Sequence, residues 1–292
     1  MIFFSVVVPC YNVENNIIAT LESLNNQLFK LFEVIFVNDG SYDKTVEVIQ
    51  GFKKNFNYEI VNQENKGLGA ARNLGIKKSN AKYICLLDAD DSWESNKLEK
   101  MNEILINDNS IDIICHNEFI KTDLNKLIKK NFYGPYCDFE SLFFKGNCLS
   151  PSAVTMKKEV FNKVGYFTED RNFHGVEDYD MWLKMSLKNL NFYFCGAFLG
   201  NYIIHENNMS GEFKFFEKEE LILLYYSKHI NKSFKNSFLL KKRFLELYLL
   251  KLIKAITLKN FKYLFSFSNE IFFLFIQRDF YKKKFDLINK KK

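Results

Sequence analysis

Residues 83–91, Tyr-Ile-Cys-Leu-Leu-Asp-Ala-Asp-Asp, limit what this chain can fold into more than any other stretch. An apolar run that stops abruptly at Asp88, Asp90 and Asp91 reads as a buried strand delivering three carboxylates to the carboxyl edge of a sheet. In open α/β folds ligands bind at that edge. Neighbouring carboxylates repel one another, so such a cluster persists with a cation or strong donors beside it. An all-oxygen set favours a hard divalent ion, Mg2+ or Mn2+, of the kind that holds phosphates. A simpler reading is a polar turn in which Asp91 or Ser92 caps the next helix.

The flanking pattern favours the first reading. Apolar runs at 3–9, 33–37, 58–61, 82–87 and 111–115 alternate with helical periodicity at 14–26, 43–54, 68–78 and 96–107. Strand and helix in this alternation predict an α/β fold with a mainly parallel central sheet, Rossmann-like, covered on both faces by helices. Residues 118–150 read as irregular, with turns at Gly134-Pro135 and Gly146-Asn147. Beyond them the pattern predicts a strand at 151–156, helices at 158–164 and 177–190, and two strands at 192–195 and 197–205. From about residue 215 everything is helical and rich in Phe, Leu and Lys. The expected organisation is a catalytic domain over 1–212, divided into a nucleotide-sugar half (1–117) and an acceptor half (118–212), with a basic amphipathic helical extension over 213–292.

Bulk composition excludes disorder, with 47% hydrophobic and 26% charged residues. None of the six cysteines forms a C-x-x-C pair, and they read as reduced thiols, which predicts a cytoplasmic protein. The first strand begins at residue 3, so no leader segment is expected. Asn208-Met209-Ser210 matches a glycosylation sequon and is read as chance. No window reaches the ~18 uncharged apolar residues of a membrane span, and residues 263–277, which come nearest, contain Glu270. Residues 221–292 carry 17 Lys and Arg against 4 Asp and Glu, a balance of +13, which leaves −7 on residues 1–220. So basic a tail suits an anionic surface. It reads as a helical face exposing lysines to water, or as a helix lying peripherally on the inner face of the cell membrane, with Lys282–Lys284 and Lys290–Lys292 at the headgroups. No nucleic-acid-binding fold accompanies the charge.

Other loops end on the same edge. The first strand runs into Val8-Pro9-Cys10-Tyr11-Asn12-Val13-Glu14, and the second into Val37-Asn38-Asp39-Gly40-Ser41. In Gly67-Leu68-Gly69-Ala70-Ala71-Arg72-Asn73, two glycines at a helix start open backbone N–H groups to an anion, and Arg72 adds a fork of donors. Arg72 stands where a dinucleotide fingerprint has its third glycine, and no Walker lysine follows. Near the carboxyl end of this region, Glu177-Asp178 opens a helix in which Asp178, Met181, Trp182 and Met185 share one face. An acid heading a buried face sits in a pocket, where desolvation raises its proton affinity and the helix N-terminus lowers it. The plainer reading is acids placed against the helix dipole, worth about 0.3–1 kcal/mol.

In order and spacing, Val8-Pro9-x-Tyr11-Asn12, Val37-Asn38-Asp39-Gly40-Ser41, Gly67-x4-Arg72-Asn73, Asp88-x-Asp90-Asp91 and Glu177-Asp178 resemble the inverting family 2 glycosyltransferases of GT-A fold, over residues 3–210. The resemblance implies an enzyme that moves a hexosyl or N-acetylhexosaminyl group from a nucleotide-diphosphate sugar, usually a UDP-sugar, to a hydroxyl of a glycan or glycolipid acceptor. Cell-surface polysaccharide, lipooligosaccharide or lipid-linked oligosaccharide synthesis is the setting it implies. Carried over residue by residue, it puts Pro9, Tyr11 and Asp39 around the uracil, with Asn12, Glu14, Gly67 and Ala89 also in the donor site. Arg72 and Asp88 would contact the nucleoside. Asp90 would ligate Mn2+ or Mg2+, with His205 completing the metal site, and Asp178 beside Glu177 would be the catalytic base. His205 also reads as a strand-end histidine bonded to backbone, and His174 stands in the loop before the acidic helix, within reach of an acceptor. Two competing functions are a non-catalytic sugar-nucleotide-binding subunit of a membrane-associated glycan assembly complex and a nucleotidyltransferase. Intact acids argue against the first, and residues 10–16 lack the glycine- and Lys/Arg-rich loop that the second needs.

Overall fold

The computed structural model describes residues 3–205, 213–231 and 233–257. Residues 263–277, the sequon at 208–210 and the lysine clusters at 282–284 and 290–292 lie outside them. The described chain separates into two compact units, residues up to 139 with 147 onward to the end of the last strand, and residues 140–146 with the C-terminal helices. A boundary drawn between 212 and 213 therefore leaves out a short internal segment that joins the second unit.

The first unit is built on a nine-stranded sheet. Its strands are β1 (Phe4–Cys10), β2 (Phe32–Asp39), β3 (Asn57–Gln63), β4 (Tyr83–Leu86), β5 (Ser92–Trp93), β6 (Ile113–Thr122), β7 (Leu127–Asn131), β8 (Val154–Lys157) and β9 (Phe192–Ile204). They run in the order β3-β2-β1-β4-β8-β6-β9-β5, with β7 paired to β6. β1 pairs in parallel with both β2 and β4, and β2 with β3. β8 lies antiparallel to β4 and to β6, and β6 and β9 are parallel again. All seven residues of β1 are buried, as a near-continuous apolar run requires of a strand covered on both faces, and its one hydroxyl, Ser5, donates to Glu33. β3 at the sheet edge alternates less and carries Asn57, Glu59 and Asn62, polar groups suited to an edge.

Helices α1 (Ile17–Asn25), α2 (Thr45–Gly51), α3 (Leu68–Lys78) and α4 (Lys97–Asn107) make the crossovers, and α6 (Val160–Val164) and α7 (Glu177–Ser186) follow β8. α1 and α4 each bury one stripe, whereas α3 and α7 are buried on most sides. Ile17, Leu21 and Leu24 of α1 are fully buried at i, i+4 and i+7, as are Leu98 and Met101 of α4. Met181, Trp182 and Met185 of α7 are fully buried too, so the face headed by Asp178 is a core face. Chain direction away from β1 reverses between β2 and β4, which opens a crevice beyond the carboxyl ends of those strands. Cys10, Cys85, Cys115 and Cys195 are buried, and all six cysteines are free thiols.

Two stretches differ from their sequence patterns. Residues 118–131 read as irregular but extend β6 and form the β6–β7 hairpin, in which β7 is solvated, carries Lys129 and Lys130 and shows no apolar alternation. The runs 192–195 and 197–205 join into the single strand β9, whose pairing to β6 shifts register where Cys195, Phe198 and Gly200 follow one another as partners. The bulge around Gly196 absorbs the break in periodicity. The second unit consists of residues 140–145 of α5 (Phe139–Lys145) with α8 (Phe213–Tyr226) and α9 (Phe234–Thr257). Buried Glu220 on α8 accepts from Tyr248 Oη at 2.7 Å and from Lys251, while Phe238, Leu249, Leu250, Ile253 and Ile256 of α9 are exposed. No described helix is long and apolar enough to cross a membrane.

α3 packs directly on β1 and β2 at Gly75, where a methyl group would stand 2.4 Å from Val7 Cγ1 and 3.1 Å from Val37 Cγ2. Gly75→Ala would gain about 1 kcal/mol of helix propensity. Overpacking two stiff β-branched side chains costs about 1–3 kcal/mol, which outweighs that gain. The variant is therefore expected to unfold at lower urea concentration than the parent; an equal or raised midpoint would show that α3 is not pinned there.

Candidate active site

Pro9 and Cys10 end β1 level with Val37 and Asn38 of β2. The loops beyond them are stitched together by their polar side chains. Asn12, at φ 52°, donates its N–H to Ser41 Oγ at 3.1 Å and accepts from the Tyr42 N–H at 3.0 Å. Glu14 accepts from the Lys44 N–H at 2.8 Å and donates its own N–H to Asp43 at 3.1 Å. Asn12 and Glu14, expected in the donor site, thus act on the neighbouring turn, and they leave the exposed rings of Tyr11 and Tyr42 edge to face at 6.2 Å.

Asp39 is 4% exposed and organises the next loop. Its carboxylate accepts from Gln63 Nε2 at 2.6 Å, the Lys66 N–H at 2.9 Å and the Gly67 N–H at 2.9 Å. The glycines of the 67–73 motif, read from sequence as an open anion cradle, instead admit another part of this chain. A methyl on Gly67 (φ 93°) would lie 3.2 Å from His174 Nδ1, and one on Gly69 only 2.3 Å from the Thr168 carbonyl oxygen. Asn73 continues the docking: its amide accepts from the Phe167 N–H at 2.9 Å and donates to the Phe167 carbonyl at 2.9 Å and to Glu169 at 2.8 Å. His174, expected near an acceptor, therefore sits against the start of α3.

Arg72 completes this seam. It is 1% exposed, donates from one terminal nitrogen to Asp88 Oδ1 at 2.8 Å and from the other to Glu177 Oε1 at 2.7 Å, and lies over the Phe167 ring at 5.5 Å. Arg72 and Asp88, expected to contact the nucleoside, are paired with each other: the guanidinium is enclosed and joins the two acidic motifs, while Asp88 stays partly exposed. Glu177, expected beside the chemistry, is 3% exposed, and its second oxygen accepts from the Gly175 N–H at 2.6 Å. Asp178 is the acid of this pair that stays partly accessible. Asn147 Nδ2 donates to it at 3.0 Å. Burial, and secondarily the Glu177 charge, push its carboxyl up to about 7.

The three acids after β4 have separate partners. Asp88 faces Arg72, and its N–H donates to Ser152 Oγ at 3.1 Å. Asp90 Oδ2 lies 2.8 Å from His205 Nε2, a hydrogen bond that raises the histidine's proton affinity. Asp91, 2% exposed, caps no helix: it accepts from Ser152 Oγ at 2.5 Å and from the Ile203 N–H at 3.0 Å, which straps the end of β9 to the acidic turn and brings His205 to Asp90. Thr20 Oγ1, between the carbonyls of Ala89 and Asp91, holds the turn from below. Among the described residues no group of three His, Cys, Asp or Glu side chains is placed to hold a metal ion. The Asp90–His205 pair nevertheless fits a divalent ion of the kind that takes one or two protein ligands and completes its shell with phosphate oxygens and water.

Asn147, Ser152, Thr20 and Thr168 carry no sequence signal of their own, since each is a common residue whose partner lies far along the chain. The bond from Asn147 lowers the proton affinity of Asp178. Asn147→Ala should therefore move the Asp178 carboxyl to a midpoint above that of the parent in a 13C NMR titration, and an unmoved midpoint would remove Asn147 from the site.

The family model for glycosyl transferase family 2 matches residues 5–165. The chain is 31% identical over 212 residues to the amylovoran biosynthesis glycosyltransferase AmsB of Erwinia amylovora, covering 69% of each chain. It is 26% identical over 207 residues to the UDP-Glc:alpha-D-GlcNAc-diphosphoundecaprenol beta-1,3-glucosyltransferase WfgD of Escherichia coli, covering 70% of this chain and 79% of that one. An uncharacterized glycosyltransferase of Rickettsia bellii is 34% identical over 193 residues, 64% of this chain, which spans only 26% of that longer protein. The crystal structure of S. aureus TarS 1–349 in complex with UDP-GlcNAc superposes with a TM-score of 0.69 at 18% identity, over 93% of this chain and 81% of that one, a likeness of fold. The chain belongs to glycosyltransferase family 2 and has the GT-A fold.

Proposed function

We propose that this protein is an inverting, metal-dependent glycosyltransferase that moves a sugar from a UDP-sugar to a hydroxyl of a glycan or glycolipid. The observation that carries the proposal is the Asp88–Arg72–Glu177 ion fork, because it joins the acidic turn to the helix that presents Asp178. Tyr11 and the turns held by Asn12, Glu14 and Asp39 frame the nucleotide, with Pro9, Gly67 and Ala89 shaping the backbone beneath it. Asp178 accepts the acceptor hydroxyl's proton as that oxygen attacks the anomeric carbon, and the bond from that carbon to the diphosphate breaks on the opposite face. A proton affinity near neutrality suits this role, since such a carboxylate is both present and basic at pH 7. Asp90 and His205 would hold the divalent ion, which when bound supplies positive charge to the diphosphate. An imidazole ligand favours Mn2+ over Mg2+.

The names of the relatives support the substrate classes. WfgD is named for a UDP-sugar and a lipid-linked acceptor, AmsB for a polysaccharide, and the TarS complex holds UDP-GlcNAc. Transfer at the cytoplasmic face of a membrane suits a lipid-linked acceptor, and the exposed apolar residues of α9 beside Lys241, Lys242 and Lys254 support peripheral attachment there.

Incubating the protein with a panel of UDP-sugars and Mn2+ is expected to release UDP from at least one donor, with loss of release in EDTA. Release indifferent to chelator would overturn the metal assignment, and release from no donor the whole reading. Asp178→Asn should lower kcat by about 10^2–10^4-fold while UDP affinity stays near that of the parent. kcat/KM should fall as pH drops through about 7, where Asp178 takes up its proton.

A further inference from the structure

We propose that the β6–β7 hairpin is a membrane-docking element that seats the active-site edge of the sheet on an anionic lipid surface. The hairpin projects from the edge that carries Asp90 and His205. β4 and β6 both lie antiparallel to β8, so β6 runs in the direction of β4 and toward the same carboxyl edge. Its last residue, Thr122, is level with Ile204 of β9, and His205, which follows Ile204, bonds to Asp90. After Asp90 itself, the Asp123 carboxylate of the hairpin turn also raises the proton affinity of His205. The turn is closed by its own backbone. Thr122 N–H donates to the Lys126 carbonyl at 2.9 Å, Asn125 N–H donates to the Thr122 carbonyl at 2.9 Å, and Asn125 takes the left-handed conformation, φ 60°, that such a short loop requires. Leu124 stands at the apex and is 87% exposed.

What the hairpin exposes suits lipid. Leu124, Leu127, Ile128 and Phe132 are all exposed, and the same segment, 121–132, carries Lys121, Lys126, Lys129 and Lys130 against the single acid Asp123, a balance of +3. Apolar side chains scattered singly over a surface need no explanation, but four within nine residues of one projecting element form a patch. Lysines on a free strand edge guard it against pairing with another strand. That role leaves the apolar apex unexplained, since bare leucine and isoleucine invite the association that the lysines oppose. Together the two sets make an interfacial element, in which apolar groups enter the headgroup boundary and ammonium groups meet lipid phosphates. The positive balance selects an anionic bilayer over a neutral one. This surface is distinct from the exposed side chains of α9, because it belongs to the unit that holds the site. Docked through it, the edge bearing Asp90 and His205 meets the membrane where a lipid-borne acceptor presents its hydroxyl. The inference rests on the glycolipid-acceptor reading for its purpose, while its binding test needs no turnover.

The test measures partitioning of the full chain, by flotation, onto vesicles of equimolar phosphatidylglycerol and phosphatidylcholine and onto vesicles of phosphatidylcholine alone. The parent is expected to float with the anionic vesicles and not with the neutral ones. Salt at about 1 M, which screens charges beyond about 3 Å, should release most of it. Lys129→Ser with Lys130→Ser should weaken partitioning about 25-fold, at roughly fivefold per lysine. Leu124→Gln with Ile128→Gln should weaken it by about tenfold or more. All four side chains are exposed, so both variants should keep the parent's urea midpoint and its UDP release without vesicles. Partitioning unchanged in both variants overturns the proposal; loss of it in Lys241→Ser with Lys242→Ser instead would assign attachment to α9. A parent that releases UDP but floats with neither vesicle overturns the docking and leaves glycosyltransfer standing. A parent that floats as expected but releases UDP from no donor counts against glycosyltransfer and not against the docking. If light scattering finds a parent dimer that Leu124→Gln with Ile128→Gln dissolves, the hairpin belongs to a second copy of this chain, and the lipid assignment falls.

Discussion

One buried guanidinium organises this molecule. Arg72 stands at the centre of α3, fully enclosed, with a carboxylate from the end of β4 on one side and one from the start of α7 on the other. Breaking such a pair from either side leaves an uncompensated buried charge at a cost of about 3–5 kcal/mol. The β4 turn and the α7 helix start are therefore held in one register, since neither can move off without leaving a charge unpaired. The acids that Arg72 joins are far apart in the chain, since Asp88 and Glu177 are separated by three α-helices and four strands.

The 67–73 motif acquires a different physical meaning in this light. Glycines at a helix start commonly let an anion approach backbone N–H groups, yet here the Gly67 N–H is satisfied by Asp39, and the absent side chain of Gly69 is filled by a carbonyl oxygen of the loop before α7. The motif is a socket. Its polar members face inward to receive the loop, so residues that bear on chemistry do so by holding one another.

The acids divide by environment. Asp91 is buried and taken up by a hydroxyl and a backbone N–H, a structural strap. Asp90 keeps an accessible edge next to His205, as a ligand pair needs. Asp178 lies between, buried enough that its proton affinity rises to near neutrality, and steadied by one amide. Three carboxylates of one chemical type thus serve as strap, candidate ligand and candidate base according to what surrounds each.

Much of this was legible along the chain. Unbroken apolar runs can be satisfied only by strands covered on both faces, and their alternation with amphipathic helices dictated an α/β sheet with Asp39, Asp88 and Asp90 at its carboxyl edge. Spacing alone put Asp178 at the head of a buried stripe. What sequence left open was direction and partnership. That Asp91 reaches Ile203, that Arg72 turns inward to Glu177, that Asn147 meets Asp178, and that β6 and β9 run on through a bulge are contacts between residues far apart in the chain. Periodicity reports which face of an element is buried, because that depends on neighbours three or four residues away. Which carboxylate a guanidinium chooses depends on where the sheet, once folded, brings the loops, and that is decided only by the packing of the whole unit.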